Sequence, residues 1–239
     1  MQHRLVGSET ADGRLHPAVL AAVGVAWICL GFASLSGLGA WLGHGHLLKG
    51  GLPLPVMLGA FAAGWLVMLV AMMLPTLPRL GQGSVGFVAG FLWIWTAFGL
   101  AALLFDAGIH WTVDNSPWLS LHPWLIQVGL VAAAGGYQLT SAKQHFLRRC
   151  IGPVPAGGIA SGWLAGGLSV GCCWALMLTA FAAGMTQLGW MVGLTLAMVG
   201  ERDAQKWRQA APLIGVVLLA VAAGLAAASI WGAPSLFAT

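Results

Sequence analysis

Long apolar stretches broken by short polar or basic connections set the pattern of this chain. Apolar segments run from about Pro17 to Trp41, Leu54 to Leu74, Ser84 to Phe105, Pro123 to Ser141, Gly158 to Ala183 and Ala210 to Trp231. At about 1.5 Å of rise per residue, each can cross a hydrocarbon layer roughly 30 Å thick as a helix. Leu188 to Gly200 is shorter, about three and a half helical turns, and is closed by Glu201-Arg202-Asp203. It spans fully if that charged end is sheltered by protein, and is re-entrant otherwise. The pattern predicts an all-α polytopic transmembrane helix bundle of about seven spans, six if this segment is re-entrant. A single integral membrane domain over residues 1–239 is expected.

Composition agrees. With 59% hydrophobic and 7% charged residues and a mean hydropathy of +0.87, the chain has too little polar material to cover a water-soluble globule. The lipid bilayer is its first partner, and the excess of 10 Lys+Arg over 6 Asp+Glu points to orientation in that bilayer, not to nucleic acid. Arg4 and Arg14 precede the first segment, Arg79 follows the second, Lys143, Arg148 and Arg149 the fourth, and Arg202, Lys206 and Arg208 the sixth. Lys49 stands alone on the other side. This asymmetry fits seven spans in the cell inner membrane with a cytoplasmic N-terminus. The stretch after Arg14 exceeds the roughly 7–15 apolar residues of a signal peptide, so an uncleaved first span is expected.

Small residues four apart, Gly86 with Gly90 and Gly162 with Gly166, would let helices approach closely. Asp106 to His122 reads as the longest outer loop, its Trp111 and Trp118 with neighbouring Trp124 suiting an interfacial belt.

Candidate chemistry lies in two apolar segments. In Gly171-Cys172-Cys173-Trp174-Ala175-Leu176-Met177, Cys173 and Met177 are four apart and share a helix face, while Cys172 is turned about 100° away. Trp65 to Pro75 carries Met68 and Met72 at the same spacing, with Trp65 one turn earlier and Pro75 ending or kinking the helix. Thiolates and thioethers select Cu(I). Methionine is also a gap-filler and free cysteine a small hydrophobe, so a soft-metal site and plain packing both fit these residues. Adjacent Cys172 and Cys173 cannot readily bridge each other, and the thiols are expected to be free.

Met185, Trp190, Met191 and Glu201 form a third group, spread too far along one helix to share a site. Glu201 is expected to pair with Arg202, Lys206 or Lys143, or to be solvated at the membrane edge. Lys143 is expected to snorkel to the cytoplasmic surface. On the outer side His44 and His46 in the first loop, with His110, Asp114 and His122 in the third, could form a borderline capture site or be loop residues without a ligand role. No phosphate loop, dinucleotide fingerprint, zinc-protease signature or nucleophile set occurs, so no catalytic constellation is found and an enzyme is not expected.

These stretches resemble those of a bacterial membrane family of unknown function, described as predicted metal-binding integral membrane proteins. The resemblance rests on W-L-V-M-L-V-A-M-M-L-P at Trp65 to Pro75, G-Y-Q-L-T-S-A-K at Gly136 to Lys143, and G-C-C-W-A-L-M at Gly171 to Met177. To these it adds G-M-T-Q-L-G-W-M at Gly184 to Met191, followed by Glu201. It covers most of the chain and implies a metal site. Where the resemblance implies further cysteines, this sequence has Ser169 and Phe146, keeping Cys150.

The reading is an inner-membrane protein that binds or handles a soft metal, Cu(I), between its second and fifth spans. Cys172 and Cys173 would serve as thiolates, Met68, Met72 and Met177 as supporting thioethers, and Trp65 and Trp174 as walls against water. A non-catalytic helical subunit or assembly factor, associating with other membrane-protein subunits, is the alternative. A small-solute or metal transporter is the third.

Overall fold

A computed structural model describes residues 17–37, 51, 53–77, 84–151, 158–184, 187–202 and 210–231. Their regular structure is helical, with no strand among the described residues. The order is α1 (Pro17–Leu35), α2 (Leu54–Met73) extended by a 3-10 turn at Leu74–Thr76, α3 (Val85–Asp114), α4 (Pro117–Ser120) and α5 (Trp124–Gln138). Then follow α6 (Ser141–Ile151), α7 (Gly158–Ala183), α8 (Leu188–Arg202) and α9 (Ala210–Ile230). Among the described residues five helices, α1, α2 with its turn, α3, α7 and α9, are long and apolar enough to cross a membrane. The expected fourth and sixth spans are shorter: α5 and α8 have 15 residues each, about 22 Å of helix.

Local chemistry sets the boundaries. Pro55 falls in the first turn of α2, where a missing N–H has no partner to lose, and Pro75 falls in the 3-10 turn that closes it. Ser84 accepts a hydrogen bond from the Phe87 N–H at 3.4 Å and starts α3. Gly184, at φ 86°, ends α7 in the left-handed conformation that glycine adopts without strain.

Two expected loops are helical. α3 continues for 30 residues, about 45 Å, through most of the stretch read as outer loop, because no proline interrupts it before Pro117. After α5 a two-residue turn leads into α6, whose buried face carries Lys143, Leu147 and Cys150 while His145, Arg148 and Arg149 are exposed. That face is apolar at too few positions to stand out in the sequence.

Packing centres on α7, which touches α3, α5, α6 and α8. α3 and α7 run parallel with their backbones in contact. A Cβ at Gly90 would strike the Ile159 carbonyl oxygen, and one at Gly162 would strike that of Phe87. The glycine pairs singled out by spacing therefore meet each other. α5 and α9 pack similarly at Gly135 and Gly215. α8 folds back along α7 as a helical hairpin, bringing Arg202 to Ser169.

Candidate metal centre

About halfway along α7, five elements converge on one polar node. α7 supplies Ser169, Gly171, Cys172 and Cys173; α8 ends there with Glu201 and Arg202; α6 brings Lys143 and Cys150; α5 ends with Tyr137 and Gln138; the turn after α2 offers the Thr76 carbonyl. Lys143 is 0% and Glu201 1% exposed, so neither snorkels nor is solvated. Instead Lys143 Nζ donates to Glu201 Oε2 at 2.5 Å and to the Cys172 carbonyl oxygen at 2.7 Å. Gln138 Nε2 donates to Glu201 Oε1 at 2.7 Å. The Tyr137 hydroxyl donates to the Gly171 carbonyl oxygen. The charged end of the short eighth helix is thus sheltered by protein, as a buried carboxylate requires.

Arg202 has different partners. Its Nη1 donates to the Thr76 carbonyl oxygen at 2.6 Å and its Nη2 to Ser169 Oγ at 2.6 Å. The same Nη2 stands 3.9 Å from the sulfurs of both Cys150 and Cys172. Trp95 Nε1 also reaches Ser169 Oγ, at 3.3 Å. The serine standing where the resemblance implied a thiol therefore holds the guanidinium in place.

The thiols are buried and form no disulfide. Cys172 and Cys173 Sγ are 3.1 Å apart, although their Cα–Cβ bonds diverge on the helix. Rotation about a single side-chain bond brings the sulfurs together. Cys150 lies within interaction range of Cys172. Among the described residues no three His, Cys, Asp or Glu side chains are grouped to hold a metal ion. The sulfur arrangement is a pair, Cys172 with Cys173, and Cys150 beyond it.

The methionines continue from this pair. Met68, Met72 and Met177 are 0% exposed, and so are Met73 and Met198, which the spacing argument passed over, and Met191, which it placed in a separate group. Contacts at two depths fix how α2 and α7 lie. Thr76 and Ser169 share the Arg202 guanidinium, and Trp65 meets Phe181 edge-on with ring centroids 5.9 Å apart. Stepping one turn at a time between these contacts puts Met72 at the depth of Cys173, and Met68 at that of Met177. Met198, one turn before Arg202, falls at the first of these depths. An aromatic cluster closes the far end: Trp65 packs on Phe61, Phe98 and Phe181 and donates to the Trp95 carbonyl oxygen at 2.9 Å. Trp174 is apart from that cluster, half-buried and edge-on to Tyr137 at 5.0 Å.

The outer residues that the structure describes have separate local partners. His110 pairs with Asp106 at 3.7 Å, one turn away on α3. His122 sits beyond α4, its Nδ1 2.9 Å from the Trp118 carbonyl oxygen and its ring stacked on Trp118. Asp114 is exposed at the end of α3. His44, His46, Lys206 and Met185 lie outside the described residues.

One family model, described as PpoB2: copper chaperone, matches residues 62–225. No curated protein and no solved structure matches the chain. The matched range contains every residue of the polar node and the six methionines that are fully buried among the described residues.

Proposed function

The chain belongs to the copper chaperone family whose model spans residues 62–225, and from that premise we propose that it takes up Cu(I) at Cys172 and Cys173 inside a multi-pass membrane bundle. Its cargo is the metal, and its work is handling or insertion, not catalysis. On binding, two S–H bonds break, two sulfur–metal bonds form, two protons leave and the copper stays monovalent. Met72 stands at the depth of Cys173, Met68 and Met177 one turn further along, and all three supply thioethers of the softness Cu(I) prefers. Trp65 closes one end of this interior against water, and Trp174 covers α7 on the α5 side.

The observation that carries the proposal is the pair of buried sulfurs 3.1 Å apart, with an arginine 3.9 Å from one of them. Two thiols this close in an apolar interior, with a cation beside them, suit a thiolate-bound soft ion better than neutral packing. The test is copper content of the purified full-length chain against a Cys172→Ser, Cys173→Ser double variant. Copper should be lost with the thiols, and equal copper in both proteins would reject the site.

A further inference from the structure

Among the described residues, every charge in the polar node except one has a countercharge. Lys143 and Glu201 form a closed ion pair, with Gln138 on the second carboxylate oxygen. Arg202, one residue on, has no carboxylate among its described partners: it binds the Thr76 carbonyl oxygen and Ser169 Oγ, and otherwise faces Cys150 and Cys172. A guanidinium stays protonated in a protein. The node therefore holds one fixed positive charge beside the sulfur pair.

We propose that Arg202 is the specificity-determining residue of the site, admitting monovalent soft cations and rejecting divalent ones by charge balance. This rests on Cys172 and Cys173 being the ligands. Two thiolates around a monovalent ion carry one net negative charge, and Arg202 brings the buried group to neutrality. The same two thiolates around a divalent ion are already neutral, and Arg202 then leaves one uncompensated positive charge in a low-dielectric interior. An unpaired buried charge is strongly disfavoured. Softness alone does not provide this discrimination, because thiolates bind Zn(II) as well as Cu(I). The two hydrogen bonds that hold the guanidinium, to Ser169 and to Thr76, come from α7 and from the turn after α2, so its position is fixed before metal arrives. Arg202 touches sulfur at 3.9 Å and acts through charge, not as a ligand.

The experiment loads the reduced, purified full-length chain with Ag(I), a redox-inert monovalent probe, and with Zn(II), separately and in competition, and counts bound metal by mass spectrometry. The wild type should take up Ag(I) and exclude Zn(II). Arg202→Gln should bind Zn(II), lowering the Ag(I) to Zn(II) ratio by about tenfold or more. Arg202→Lys, which keeps the charge while losing the forked hydrogen bonds, should hold the wild-type ratio. The lysine variant and wild-type competition decide the matter if the glutamine variant does not fold. An unchanged ratio in Arg202→Gln, a collapsed ratio in Arg202→Lys, or a wild type that takes Zn(II) as readily as Ag(I) overturns the inference while leaving the copper reading in place. A wild type that binds neither ion removes both.

Discussion

Two regions of this protein offer metal-ligating side chains, and they are built in opposite ways. Around Cys172 the partners are distant in sequence: Lys143 reaches Glu201 across 58 positions, and Arg202 reaches Thr76 across 126. At the outer end of α3 and beyond α4 the contacts are local, His110 with Asp106 and His122 with Trp118, each one turn away. The first arrangement exists only when the whole bundle is assembled. The second would persist in an isolated helix or turn. Buried polar groups that depend on distant elements are costly if any partner is missing, so the inner node ties fold and site together, whereas these outer pairs need only a neighbouring turn.

The largest effect should come from breaking the node at its ion pair. Lys143→Ala leaves Glu201 buried without its cation, and a loss of about 3–5 kcal/mol in stability is expected. Replacing both partners by apolar residues, Lys143→Met with Glu201→Leu, removes the stranded charge and should recover most of that loss. Thermal unfolding in detergent measures both. If single and double variants fall equally, the pair is not a coupled unit and the contrast between the regions fails.

Glycines sharpen the comparison at the next level. Gly162→Ala would drive a Cβ into the Phe87 backbone, at the contact of α3 with α7 that holds the node's central helix, and should cost about 1–3 kcal/mol. Gly108, on the same α3 but in its outer turns, has nothing within 4 Å of where a Cβ would stand. Gly108→Ala should stabilise by about 0.4–1 kcal/mol through the unfolded chain. The same substitution with opposite signs would locate the tightly packed part of α3 by experiment.

A smaller effect separates packing from ligation. Met177→Leu nearly conserves volume, so less than about 1.5 kcal/mol should be lost. If the thioether supports the metal, Ag(I) affinity should fall in the variant while its unfolding temperature barely moves. Equal affinity would reduce Met177 to a packing residue and confine the site to the two thiols.

The fold was legible where length and punctuation agree. Gly158 to Ala183 is read from sequence with both ends correct, because it is long, apolar and followed by a glycine in the left-handed conformation. The expected outer loop after Phe105 failed because its polar residues lie on a continuous helix with no breaker until Pro117. α6 was missed because a lysine completes its buried face, which no hydropathy pattern anticipates. For the site, one helix's spacing picked out Cys173 with Met177 but set Cys172 aside, since helical angle describes Cβ direction and not where a rotatable sulfur ends. Cys150, Ser169, Gln138 and Arg202 join the node only through pairings of distant segments. The resemblance had drawn attention to Ser169 and Cys150, and for Gln138 and Arg202 the signal was chemical: two bases and an acid, Lys143, Glu201 and Arg202, beside otherwise apolar helices need partners.

The smallest effects belong to the outer histidines, and they test the comparison from its other side. His110 and Asp106 are both partly exposed on one helix face, and such local pairs contribute about 0–1 kcal/mol. His122 is held by the turn it sits on. His110→Ala and His122→Ala should each shift stability by about 0.5 kcal/mol or less, and the double variant should retain the wild-type Ag(I) stoichiometry. A double variant that loses a metal equivalent would mean that these side chains act together despite having separate partners in this structure. It would make the outer end a capture site in its own right, with the inner node as the second of two stations on the metal's route.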